Sequence, residues 1–187
     1  MTSPIIARKP SRLAAVRRIP SWGWQIGVAA IIYASVSHFI LAGNPNLEIR
    51  FRPALAPLLA AESIIQVHVT AAIATFCIGL VLMLAPKGFH LHRMLGWSWV
   101  VTMSVTAISS FFITGIMGSA YSPIHALSAY TMLGLPFGIA AVRRRNITKH
   151  RKDMTGMFVG AMVIAGLFSF LPGRLMWSLV FASQGQL

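Results

Sequence analysis

The sequence predicts an all-α, polytopic transmembrane helical bundle of about five spans with a short C-terminal interfacial helix. Three observations carry that prediction. Hydrophobic residues fill 56% of the 187 positions and charged residues only 10%, which is more apolar surface than one soluble core of this size hides. The apolar residues gather into runs of about twenty, the length that crosses the hydrocarbon of a bilayer as a helix. No run shows the alternation a membrane barrel needs, and lipid offers backbone amides no partner, so helices remain.

In chain order, residues 1–20 (MTSPIIARKPSRLAAVRRIP) read as a basic cytoplasmic arm that touches anionic lipid. Arm and first run are both long for a cleaved signal, so a retained anchor is expected. The first span is expected from about Ser21 to Ala42, ending at the turn sequence GNPN, and the second from Ser63 to Ala85, stopped by Pro86. The third should cover Leu95 to Met117, and the fourth Ile124 to Val142 with a kink at Pro136. The fifth, Met154 to Leu171, closes at Pro172-Gly173. Residues 21–175 thus form the bundle. The tail, 176–187, starts apolar but is too short to cross, and is expected to lie on the membrane surface.

Basic residues orient the bundle. Those of the arm, Lys87, Arg93, the Arg143 to Arg145 cluster, Lys149, Arg151 and Lys152 fall on one side, and Arg50, Arg52 and Arg174 on the other. The positive-inside rule then puts the N-terminus in the cytoplasm and the C-terminus outside. This split accounts for the net charge of +13 without nucleic acid, for which the sequence shows no soluble basic domain. The one cysteine, Cys77, permits no internal disulfide or thiolate cluster. With Glu48, Glu62 and Asp153 as the only acids, general acid-base chemistry would fall to histidine.

The six histidines sort by depth. His38, His68 and His125 thread to an outer layer, and His90, His92 and His150 to an inner one. Starting from VHVTAA and IHALSA, two hairpins follow one plan: a histidine, a helix, a basic loop, a His-Arg pair, and a returning helix that opens with Met and Gly. Such a repeat implies a pseudo-twofold axis along the membrane normal, which sets His68 opposite His125 and His92 opposite His150. Facing histidines on paired helices are the axial ligands of a bis-imidazole b-type haem, and a polar ring in lipid is expensive without a partner. On this reading the cofactor is haem b, its irons are held by His68, His125, His92 and His150, and Arg93 and Arg151 pair with propionates through bidentate forks. Ala71, Ala72, Ala74, Gly134, Gly138, Gly156 and Gly160 would line the slots or, equally, serve close helix packing. Plainer roles stand beside these. The His-Arg pairs can be interfacial anchors on lipid phosphates, His68 and His125 can be structural hydrogen-bonders, and His38 and His90 lack mirror mates.

The segments QVH, HRMLGW, IHALSAY, HRKDM and LPGR, spread over about residues 25–175, resemble those of a bacterial membrane family, domain of unknown function 2306. That resemblance implies a multi-pass protein of the bacterial inner membrane. The placing of four histidines on four consecutive helices is distantly similar to cytochrome b-561, a di-haem transmembrane electron carrier. There the first and third histidines share one haem and the second and fourth the other, which implies the pairs His68 with His125 and His92 with His150. The likeness is one of layout, since the loops here are short and no ascorbate-binding segment is recognisable. The expected function is electron transfer across the membrane, with the lipid bilayer and a quinone or redox protein as partners. Two other classes stay open: a small transporter with a proton or metal relay through the outer histidines and Glu62, and a non-catalytic assembly or accessory subunit of a membrane complex. Ten methionines would suit copper, but none forms a paired Met-x-Met motif.

Overall fold

The computed structural model describes residues 21–43, 49–114 and 123–183. The basic arm, the GNPN turn beyond Gly43, the third run beyond Thr114 and the last four residues lie outside that range. Its elements are α1 (Ser21–Ala42), β1 (Ile49–Phe51), α2 (Ala56–Leu59), α3 (Ser63–Leu84), α4 (His90–Phe111), α5 (Pro123–Arg143), α6 (Ile147–Met157), a π-helical segment (Phe158–Ile164), α7 (Ala165–Ser169), α8 (Leu175–Val180) and β2 (Phe181–Ser183). It is a helical bundle, as the composition requires. Among the described residues four helical stretches are long and apolar enough to cross a membrane, namely Gly23–Ala42, Ser63–Leu84, His90–Phe111 and Ile124–Arg143.

The fifth expected run is helical too, but it starts earlier, at Ile147, and is interrupted by seven residues of π-helix. The third helix also starts earlier than its apolar run suggests. It begins at His90, so His92 sits inside the first turn rather than ahead of it.

Proline and glycine set the reversals. α3 ends at Ala85 before Pro86, and Gly88 turns the chain with a φ of 91°, a conformation that costs a glycine little. α5 runs unbroken through Pro136, which cannot donate to the carbonyl one turn back. Its C-terminus is closed by Arg145 in the left-handed region (φ 59°) and by a bond from the Asn146 amide to the Ala141 carbonyl, the arrangement usually given to glycine. The Asn146 side chain then accepts from the Lys149 amide and starts α6.

α3 packs on α4, α4 on α5 and α5 on α6, and α3 returns to the π segment, so four helical stretches close a ring. α1 lies outside this ring against the π segment and α7, tied by the Tyr33 hydroxyl donating to the Phe170 carbonyl at 2.9 Å.

At one end, here the basic end, sit Lys87, Arg93, the Arg143 to Arg145 cluster and the start of α6. At the other, the cap end, α2 packs on α8, and β1 pairs antiparallel with β2, Arg50 opposite Ala182. The expected short helix after Arg174 is therefore present, but the chain beyond it adds a strand instead of continuing along the surface. Among the described residues this pair is the one departure from an all-α description. It joins positions far apart in sequence, which no local pattern announces.

Candidate functional site

The core changes character along the bundle. Across the middle of the bundle it is a cluster of Trp99, Met103, Leu135, Met157, Phe158, Val159 and Met162. The buried polar side chains among the described residues, Thr75, Thr106, Ser109, Ser110, His125, Ser128 and Thr131, run from mid-bundle at Thr75 to the cap end. Helical spacing produces this division. Trp99, Met103, Thr106 and Ser110 share one face of α4, and Leu135, Thr131, Ser128 and His125 share one face of α5, so each inward stripe passes from apolar to polar.

The hydroxyls are satisfied by their own helices. Thr75 donates to Ala71 O, Thr106 to Thr102 O, Ser109 to Val105 O, Ser128 to Ile124 O and Thr131 to Leu127 O, at 2.7–3.0 Å. With their protons so engaged, their oxygens can accept from neighbours. Ser110 and Ser128 join α4 to α5 through a short bond between their hydroxyls.

His68 reaches across from α3. Its Nδ1 lies 3.0 Å from both Thr106 O and Ser109 Oγ. A carbonyl only accepts, so Nδ1 carries the proton and, in the neutral ring, Nε2 carries the lone pair. His125 is buried at the start of α5 with its ring 6.1 Å from that of Phe111. Both histidines thus pack on the last turns of α4, at the depth the sequence assigned to them.

At the basic end, His150 Nδ1 donates to Gly138 O at 2.9 Å, which again leaves Nε2 with the lone pair. His92 is half-buried, its Nδ1 lacks a hydrogen-bond partner, and His150 and Lys87 act on it electrostatically. The structure therefore brings His92 and His150 into one neighbourhood. Arg93 and Arg151 point to the surface, as do His38 and His90. The acid of this end, Asp153, is paired with Lys149 at 2.8 Å.

The donor set suits an axially ligated iron in one respect. A ligating imidazole holds its second nitrogen on a carbonyl or carboxylate, and His68 and His150 both do so. Space is the difficulty. A Cβ on Gly134 would stand 2.9 Å from Met157 Sδ, one on Gly138 would strike Met154, and Gly79 is covered by Phe158 and Trp99. These small residues admit neighbouring side chains, so at Gly134 and Gly138 methionine rather than a macrocycle lies against α5. Gly156 and Gly160 face open space instead. Among the described residues no three His, Cys, Asp or Glu side chains converge for a metal ion.

The hydroxyls escaped the sequence reading, which weighed histidines alone. Their signal was present as serine and threonine recurring three and four apart along TMSVTAISS.

No curated protein and no solved structure matches the chain. A family model described as a predicted membrane protein, DUF2306, matches residues 65–182, from the first turn of α3 to β2, and so takes in the closed ring and most of the residues discussed above. The chain therefore belongs to the DUF2306 family of predicted membrane proteins.

Proposed function

We propose that this integral membrane protein is a small proton-handling transporter, and that the cap-end half of its bundle is where the proton is received. The observation that supports this reading is the split core: buried hydroxyls and the His125 imidazole, with half-buried His68 beside them, backed by a close-packed apolar plug. Such groups are expensive in a membrane and mark polar pathways when they occur there. His68 is the acceptor. Its Nε2 takes the proton, while Nδ1–H stays on Thr106 O and Ser109 Oγ, where the carbonyl dipole supports the resulting imidazolium. Ser109, Ser110 and Ser128 extend the polar surface toward His125 and α5. Passage beyond them requires the plug to move. Phe158, Val159 and Met162 of that plug come from the π segment, a weaker helical form that often marks functional breaks.

The test is proton flux into proteoliposomes with a trapped pH dye, driven by a potassium-diffusion potential. Wild-type protein should acidify or alkalinise the lumen according to the sign of the potential, and His68→Phe should lose most of that flux while Lys149→Gln keeps it. Wild-type vesicles no leakier than empty ones would overturn the proposal.

A b-type di-haem electron carrier is the second reading, favoured by the carbonyl-held Nδ1 atoms of His68 and His150. A dithionite-reduced minus oxidised spectrum of protein from a haem-replete host decides it, since haem would have to displace Met154 and Met157. A band that vanishes in His68→Ala would replace the transporter reading, and a featureless spectrum removes the haem one.

A further inference from the structure

At the basic end, the α3–α4 hairpin holds a feature that the proton reading leaves unused. Leu82, Ala85 and Pro86 at the end of α3, with Phe89, Leu91 and Leu95 of the next helix, line an apolar hollow of about 180 Å³ that His92 completes. Among the described residues His92 brings the one polar side chain to this wall, with Nδ1 buried and lacking a partner there. A nitrogen in that position normally finds an acceptor. Its charged neighbourhood is one-sided. Lys87 and His150 act on His92, Arg93 follows it in the chain, and the nearby acid Asp153 is taken by Lys149. Lys87 commits one of its three donors to Met83 O at 2.9 Å and keeps the others available.

An apolar groove beside unmatched positive charge is complementary to an amphiphile with a negative head. Basic pockets between helices at a membrane surface take anionic headgroups for this reason. A neutral quinone would fill the hollow but leave the charge unanswered, and a free phosphate would answer the charge but leave the hollow empty. We propose that the basic end of the α3–α4 hairpin binds one anionic phospholipid, with an acyl chain in the hollow and the headgroup phosphate on Lys87 beside the His92 ring.

The test is native mass spectrometry of the full chain released from micelles containing equal phosphatidylglycerol and phosphatidylcholine. One phosphatidylglycerol should stay bound in clear preference to phosphatidylcholine. Lys87→Gln and His92→Phe should each lower that preference by about five-fold, the weight of one basic contact near a membrane surface. Ala85→Leu, which fills the hollow and leaves every charge in place, should release the lipid, and Lys149→Gln should change nothing. Folding of each variant is checked by its circular dichroism spectrum, so that loss of lipid is read on intact helices. Equal retention of both lipids, competition by inorganic phosphate alone, or a quinone in place of the phospholipid would each overturn the proposal.

Discussion

The close approach of α3 to the π segment at Gly79 gives the sharpest stability prediction. A Cβ on Gly79 would fall 2.5 Å from Cδ2 and Cε2 of Phe158 and 2.8 Å from Nε1 of Trp99. Carbon atoms settle at about 3.5–4.0 Å, so the new methyl group is short of space by about 1 Å. Neither neighbour can swing away, because Trp99 is buried in the plug and Phe158 is both buried there and stacked on Phe76 at 5.9 Å. α3 must therefore separate from the π segment. Overpacking of this kind costs about 2 kcal/mol, which for a chain of this size lowers Tm by about 4–8 °C. Gly96→Ala is the control. That site has nothing within 4 Å of a Cβ, and alanine there should be neutral or gain up to about 1 kcal/mol of helix propensity. Thermal unfolding in one detergent, followed by circular dichroism, compares the two. Equal melting of Gly79→Ala and wild type, or an equal loss in Gly96→Ala, would refute the packing argument.

Three further outcomes follow from the same geometry. Met157→Ala, at a side chain only 1% exposed, should destabilise by about 2 kcal/mol in the same melt, the low end for such cavities because lipid rather than water surrounds the separated helices. Arg145→Gly should raise Tm, since the residue that closes α5 sits at a φ of 59°, and relief of about 1 kcal/mol of left-handed strain outweighs the entropy glycine adds to the unfolded chain. Tyr33→Phe removes the bond to Phe170 O, worth about 1 kcal/mol; α1 should then gain hydrogen-exchange rate while α3 to α5 do not.

The spans were legible because length and hydropathy are what a bilayer selects, and Pro86 and Gly88 mark the first hairpin as clearly as any sequence can. The start of α6 was not. Ile147 to Asp153 is too polar to count as a span, yet the cap at Asn146 and the bond from His150 to Gly138 draw it into the helix. The stretch FVGAMVI carries no sign distinguishing π from α, since both bury the same residue types. Histidine depth could be read by counting along helices, and His68 and His125 lie where that count placed them. What the His68 imidazole binds could not be counted, because Thr106 and Ser109 reach it only through the packing of α4 on α3. Gly134 and Gly138 illustrate the same limit: small residues announce a close approach without saying whether a methionine or a cofactor makes it.

The widened turn at Phe158–Ile164 sets the phase of everything after it. A π turn holds one residue more than its α counterpart, so winding these same residues as plain α-helix would carry one residue past the end of the turn. The downstream chain would then rotate by about 100° and advance by about 1.5 Å. Phe170 would carry its carbonyl away from Tyr33, and α8 and β2 would turn off their partners α2 and β1. The wide turn thus works as an angular shim: it aims α7, α8 and β2 at the first helix and at the cap.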